Sequence, residues 1–265
     1  MDAWEYEPAA DLELSAAEGM RRFPRDPGMA VCALRGAIQV ALRTFLRAYH
    51  RFDVVGRENL PAGESFVMVC NHSSHLDALC LLSSLPLGRV HRAFPAAAAD
   101  YFFASPLRGA LSVIVFNGLP FDRGHHGGAS LDMCRELLAG PDNVLIMFPE
   151  GTRSGSGTIG RFRSGVARLV AGTSTPVVPC HLSGAYEAWP KGQVAPRPGL
   201  LRLHIGRPRV FPDVSPADPV AVASISAQLR ADVAALKRGQ EIRRSGGQEK
   251  LAVWTLGVDG GPTGS

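Results

Sequence analysis

The sequence predicts an α/β fold, a mostly parallel central sheet flanked by helices, preceded by an N-terminal amphipathic helix. Three observations predict it. From Phe52 onward, apolar runs alternate with segments of helical periodicity, the order that builds a parallel sheet covered on both faces. The runs FVMVC (66–70), LSVIVF (111–116), NVLIMF (143–148) and PVVPCHL (176–182) are nearly continuous in apolar residues, as strands buried on both sides are. With 265 residues, 46% hydrophobic and 20% charged, the chain is long enough to bury a substantial core in one domain.

Residues 1–28 lack periodicity and hold Pro8, Pro24 and Pro27, so they read as an extended lead-in. Met29 to His50 reads as a helix. At about 100° per residue, Arg35, Gln39, Arg43, Thr44, Arg47 and Arg51 fall in one half of its wheel, and Val31, Leu34, Ala37, Ile38, Ala41, Leu42, Phe45 and Tyr49 in the other. Its length resembles that of a membrane span, but each arginine at the bilayer centre would cost about 2.5–3.5 kcal/mol, so it is not expected to cross. Two placements fit: in the headgroup plane of an anionic bilayer, or on the core with a solvated arginine face.

Beyond the first strands, helices are expected at 77–84, 128–139 and 163–172. LLRLHIG (200–206) adds a strand, and PVAVASISAQLRADVAALKRG (219–239) closes the domain as a helix. The chain thus divides into a lead-in and amphipathic helix (1–51), a main domain (52–239) and a Gly-rich tail expected to be disordered (240–265). There is no internal repeat.

A formal charge of +4 and a pI of about 9.0 suit an anionic partner without choosing it. Arginines without interleaved aromatics or a reading helix give nucleic acid no support. The five cysteines are odd in number and lack a C-x-x-C pair, which reads as free thiols in a reducing compartment. The acidic opening MDAWEYEPAADLELSAAEG fits neither a signal nor a transit peptide, so the chain is expected on the cytoplasmic side of any membrane it touches.

Chemistry gathers at the ends of the predicted strands. After FVMVC comes NHSSHLD (71–77), polar and ionisable between two apolar stretches. With a helix starting near Ser73 or Ser74, His72 sits in the strand-to-helix turn, where α/β ligand sites form. Asp77 lies one turn inside, and a histidine still in the turn can fold back onto it. The carboxylate would fix the tautomer and raise basicity while the helix N-terminus opposes protonation, which suits a general base near neutral pH. Helix capping with an incidental histidine fits the same spacing. His75 is expected to pack or to line a substrate wall; Asn71 and Ser74 are expected to satisfy backbone groups of the turn.

GLPFDRG (118–124) sets Arg123 beside a glycine, facing a cleft or simply exposed. FPEGTRSGSGTIGRFRSG (148–165) places Glu150 and Arg153 in a turn after a buried strand, with Arg161, Arg163 and Arg168 leading into a helix. Such a loop is a sound cradle for phosphate or a solvated basic loop. It lacks the P-loop spacing. In TPVVPCHLSGAYEAWPKG (175–192), Cys180 and His181 are a poor metal pair. There is no nucleophile elbow, no H-E-x-x-H and no G-x-G-x-x-G after a strand. No metal and no cofactor are expected.

In this order, NHSSHLD, GLPFDR, FPEGTRS and VVPCHL resemble the four sequence blocks of the glycerolipid acyltransferase family, which includes the 1-acylglycerol-3-phosphate acyltransferases. The resemblance covers about Phe52 to Pro208, and VVGRENLPAGESF before the first block is also similar. It implies that His72 takes the proton from an acceptor hydroxyl attacking an acyl thioester, with Asp77 as its partner and no covalent acyl-enzyme. It implies an acceptor-binding set of Arg123, Glu150, Gly151, Thr152 and Arg153, in which the arginines hold phosphate. The fourth block would support the acyl-chain end of the pocket through Val177, Val178 and Pro179. The substrates would be a lysophospholipid and an acyl thioester, carried by CoA or by acyl carrier protein. The helix at Met29 to His50 becomes a monotopic, membrane-associating anchor with its arginines on lipid phosphates, at the cytoplasmic face of an anionic membrane.

One departure concerns Ala99, which stands about where many phosphatidate-forming members carry a lysine. The acceptor therefore stays open among 1-acylglycerol-3-phosphate, another lysophospholipid and a non-phosphate lyso-lipid. Thioesterase or lysophospholipase chemistry in the same site, and a non-catalytic lipid-binding domain, are the competing readings. Intact His72, Asp77, Glu150 and Arg153 argue against the last.

Overall fold

The computed structural model describes residues 29–98, 119–121 and 127–255. The lead-in at 1–28, the strand expected at 111–116, Ala99 and Arg123 lie outside the described residues.

Eight described strands form one sheet: β1 (Asp53–Val55), β2 (Phe66–Cys70), β3 (Ala93–Ala98), β4 (Leu119–Phe121), β5 (Val144–Met147), β6 (Thr173–Ser183), β7 (Arg202–Ile205) and β8 (Arg209–Phe211). Their order is β1-β7-β6-β2-β5-β3-β4, with β8 also paired to β6. The pairs β1–β7, β6–β2, β2–β5, β5–β3 and β3–β4 are parallel, while β7 and β8 run antiparallel to β6. The sheet is thus mostly parallel, as the continuous apolar runs predict.

Strand β2 lies at its centre, and all five of its residues are buried. Alternate side chains feed two cores. Val67, Val69, Leu145, Met147 and Val177 face one layer made by α3 (Gly127–Ala139), α4 (Gly165–Val170) and α6 (Pro219–Thr255). Phe66, Met68, Cys70, Val144, Ile146 and Val178 face the other, which includes α1 (Met29–His50), α2 (Leu76–Ser84) and α5 (Ala185–Ala188).

Two differences from the sequence reading have physical causes. The last helix continues past Gly239 to Thr255: Gln, Glu, Arg, Lys, Leu and Ala, all good helix formers, stand on either side of Gly246 and Gly247. Helix α1 turns part of its polar stripe inward: Arg35 and Gln39 are each only 4% exposed. Gln39 Nε2 donates to the Leu82 carbonyl at 2.8 Å, and the Arg43 guanidinium donates to the Leu85 carbonyl. These acceptors lie at the C-terminal end of α2, where helix geometry leaves carbonyls without intrahelical donors. A solvated arginine face, or one with Arg35 and Arg43 on lipid phosphates, is therefore corrected. Thr44, Arg47 and Arg51 stay exposed, beside the large apolar residues Leu34, Val40, Phe45 and Tyr49.

Of the five free cysteines, Cys70, Cys80, Cys134 and Cys180 are buried. Burial pushes the thiols of Cys70, Cys80 and Cys180 upward, the opposite of what a nucleophile needs.

Candidate active site

Because β6, β2 and β5 are adjacent and parallel, the chain leaves all three at the same end of the sheet. Three of the polar blocks meet there, the first of them 78 or more residues along the chain from its contacts in the other two. Asn71 ties the first two ends together. Its Nδ2 donates to the Leu182 carbonyl at 3.0 Å, and its Oδ1 accepts from the Leu182 amide at 2.9 Å. A buried side-chain amide thus continues the ladder where the strands diverge.

His72 follows in the turn. Its Nδ1 lies 2.8 Å from Asp77 Oδ2, and the same oxygen accepts the backbone amides of Ser73 and Ser74 at 2.7 and 2.8 Å. Asp77 is fully buried and the His72 side chain is 23% exposed. Helix α2 begins at Leu76, within a residue of the 77–84 span and after the Ser73 or Ser74 start used to pair the two residues, so Asp77 lies within its first turn. The carboxylate caps that turn and orients the imidazole at once. Since it acts as acceptor, His72 carries its proton on Nδ1, and Nε2 holds the lone pair. The His72 ring stacks on Phe148, with centroids 4.2 Å apart and planes at 18°. Sequence reasoning missed Phe148; its only signal is an aromatic directly after a buried strand.

Glu150 fastens the loop after β5 to this turn. One carboxylate oxygen accepts the His72 amide and the other the Gly160 amide, both at 2.9 Å. The Ser154 amide donates to the His72 carbonyl at 2.7 Å. Burial raises the Glu150 carboxyl, opposed by these backbone donors. Gly151 turns the loop at φ +77° and packs against the Arg163 side chain. Thr152, Arg161, Arg163 and Arg168 are exposed.

Arg153 reaches back to His75, its guanidinium contacting Nε2. The His75 ring lies 5.1 Å from the Trp189 ring, and Ser74 Oγ donates to the Trp189 carbonyl at 2.8 Å. His75 therefore belongs to the Arg153 side of the site, a partnership that sequence spacing does not reveal. Burial lowers its affinity for a proton, and Arg153 and His72 lower it further against the pull of Asp77. The structure brings together His72, Asp77, Glu150, Gly151 and Arg153; Arg123, in the second block, is outside the described residues.

Comparisons with known proteins give the chain's family and relatives. The family described as Acyltransferase matches residues 51–183. The 1-acyl-sn-glycerol-3-phosphate acyltransferase of Limnanthes alba is 32% identical over 134 residues, 50% of this chain and 46% of that one. The alpha form of that enzyme from Mus musculus is 28% identical over 206 residues, covering 73% and 70%. The crystal structure of the 1-acyl-sn-glycerophosphate acyltransferase PlsC from Thermotoga maritima superposes with a TM-score of 0.59 at 25% identity, over 79% of this chain and 78% of that one. The chain spans less than half the length of the plant relatives, 39–46%. A histidine–aspartate pair and an arginine-bearing loop at the end of a parallel sheet, within a matched segment holding all four blocks, place this chain in the glycerolipid acyltransferase family.

Proposed function

We propose that the protein moves a fatty acyl group from an acyl thioester to the hydroxyl of a lysophospholipid, with 1-acylglycerol-3-phosphate as acceptor and phosphatidate as product. The His72–Asp77 pair, with Arg153 on the adjoining loop, carries this reading. His72 Nε2 takes the proton of the acceptor hydroxyl as its oxygen attacks the thioester carbonyl. The C–S bond breaks when the tetrahedral intermediate collapses, and the proton passes to the leaving thiolate. Direct transfer is supported by the burial of Cys70, Cys80, Cys134 and Cys180, which keeps those thiols from acting as nucleophiles. Arg153, with Arg123 on the second block, binds the acceptor phosphate; Glu150, Gly151 and Thr152 shape the loop that presents it. The names of the relatives support lysophosphatidate as acceptor.

The test is thiol release from long-chain acyl-CoA, with and without lysophosphatidate. Acceptor-dependent release in the wild type, lost in His72→Ala, is expected. Equal release without acceptor would instead favour a thioesterase. Activity only with acyl carrier protein as carrier would assign the donor, and activity only with a phosphate-free acceptor would remove Arg153 from its role.

The acceptor is an amphiphile, and helix α1 offers a route to the bilayer. No described helix is long and apolar enough to cross a membrane. The exposed face of α1 carries Leu34, Val40, Phe45 and Tyr49, with the last two rings stacked at 5.2 Å, and Arg47 and Arg51 are exposed nearby. This apolar face, rather than an arginine face, enters the interface, giving peripheral attachment at the cytoplasmic side of an anionic membrane. Replacing both Leu34 and Phe45 by Glu should weaken co-sedimentation with phosphatidylglycerol vesicles about tenfold or more, from the lost burial of two large side chains. Unchanged partitioning would refute the anchor.

A further inference from the structure

His75 is the ionisable residue of the polar turn that the acyl-transfer chemistry leaves without a task. Its place is set from two other segments. The Arg153 guanidinium contacts its Nε2, and the Trp189 ring lies beside it at 5.1 Å with planes at 43°. Trp189 is itself held, by Ser74 Oγ on its carbonyl at 2.8 Å and through its own Nε1 donating to the Gln193 carbonyl at 2.9 Å. Ser74 and Pro190 also form a β-bridge.

A guanidinium has five N–H donors and no acceptor, and it does not give up its proton in proteins. The histidine nitrogen it touches must therefore be the acceptor. His75 is neutral, with its proton on Nδ1. His72 has the same tautomer for a different reason, since its Nδ1 donates to Asp77. One Nε2 lone pair is kept for the substrate hydroxyl and the other for an arginine.

We propose that His75 is the positioning residue for Arg153: its neutral imidazole aims the guanidinium at the acceptor phosphate, and its protonation releases that aim. The proposal rests on the acyl-transfer reading with a phosphate-bearing acceptor. Among the described residues, the charged and titratable groups facing His75 are His72 and Asp77 from its own turn and Arg153 from the loop after β5, while the segment after α5 contributes the uncharged Trp189 ring. Protonating His75 removes the acceptor and sets two cations side by side. Binding of the phosphate acceptor then weakens on the acid side while the His72–Asp77 contact is kept.

The experiment compares KM and kcat for lysophosphatidate and for monoacylglycerol, an acceptor without phosphate, across the acid range. His75→Ala should raise the lysophosphatidate KM about tenfold, the scale of one positioned charge-assisted hydrogen bond, with kcat changed less than about threefold and the monoacylglycerol KM unmoved. His75→Gln, whose amide oxygen can accept from Arg153, should restore the KM and abolish the part of its acid-side rise that belongs to His75. Adding His75→Ala to Arg153→Ala should do no further harm. Equal losses on both acceptors, no rescue by Gln, or additive effects in the double variant would overturn the proposal.

Failure of the wild type to acylate lysophosphatidate would count against the acceptor reading by itself. A readout without turnover then decides the inference: in histidine-¹⁵N-labelled protein, His75 Nε2 should be unprotonated and should shift in Arg153→Ala. A protonated or unmoved Nε2 would overturn it.

Discussion

Asp77→Asn should fold and lose about 10³-fold of its acyl-transfer rate, within the range general-base catalysis and its orienting carboxylate supply. Asp77 Oδ2 accepts three N–H groups, from His72 Nδ1 and the amides of Ser73 and Ser74. An asparagine whose oxygen takes the Oδ2 place can keep all three donors, so the turn and the His72 tautomer survive. What is lost is the charge: a neutral amide neither raises the basicity of the imidazole nor stabilises the imidazolium that forms when Nε2 receives the hydroxyl proton. The base is present and oriented but too weak. His72→Ala removes the base outright and should lose at least as much. Thiol release with acceptor present, alongside thermal melts to confirm folding, checks both. A loss of less than about tenfold in folded Asp77→Asn would show that the carboxylate serves only as a helix cap.

The parts of this fold that could be read from sequence are those whose requirement is local. A central parallel strand is buried on both faces, so FVMVC and the VLIM of β5 are continuous apolar text. The turn after such a strand is the natural place for chemistry, and the histidine and aspartate of NHSSHLD could be paired from their spacing. What escaped depends on partners far away in sequence. Strand β3, AFPAAA, has no β-branched residue and contains Pro95; it is a strand because β5 pairs with it. The wheel of α1 separates two faces but cannot say which turns inward. That was decided by the carbonyls of Leu82 and Leu85, which take donors from Gln39 and Arg43, so long polar side chains are buried and Leu34 and Phe45 are not. His75 likewise meets Arg153 only because β2 and β5 are neighbours.

Gly184→Ala should be the most damaging single-methyl change among the positive-φ glycines of the site's own segments, lowering stability by roughly 3 kcal/mol or more through backbone strain and overlap. Gly184 has φ +81°, and a Cβ there would sit 2.0 Å from the Leu200 carbonyl oxygen and 3.1 Å from its carbon. Both are backbone atoms, so no rotamer relieves the overlap. One of two connected pieces must shift. Leu200 precedes Leu201, which is fully buried and whose amide donates to the His50 carbonyl at 3.0 Å; moving it disturbs the core under α1. Gly184 is also the N-cap of α5 and its carbonyl accepts the Ala188 amide at 3.1 Å. Moving it instead displaces Trp189 and, through that ring, His75. Gly192 separates strain from clash. Its φ is +95° but nothing lies within 4 Å of an added Cβ, so Gly192→Ala should cost only the backbone preference, roughly 1–2 kcal/mol. At about 2–4 °C per kcal/mol for a domain of this size, the Gly184 variant should melt several degrees below the Gly192 variant. Its kcat/KM should also fall at temperatures where it remains folded, since Trp189 moves with α5. Equal melting shifts would mean that Leu200 yields without cost, and that the end of β6 is not a rigid support for the Trp189–His75–Arg153 side of the site.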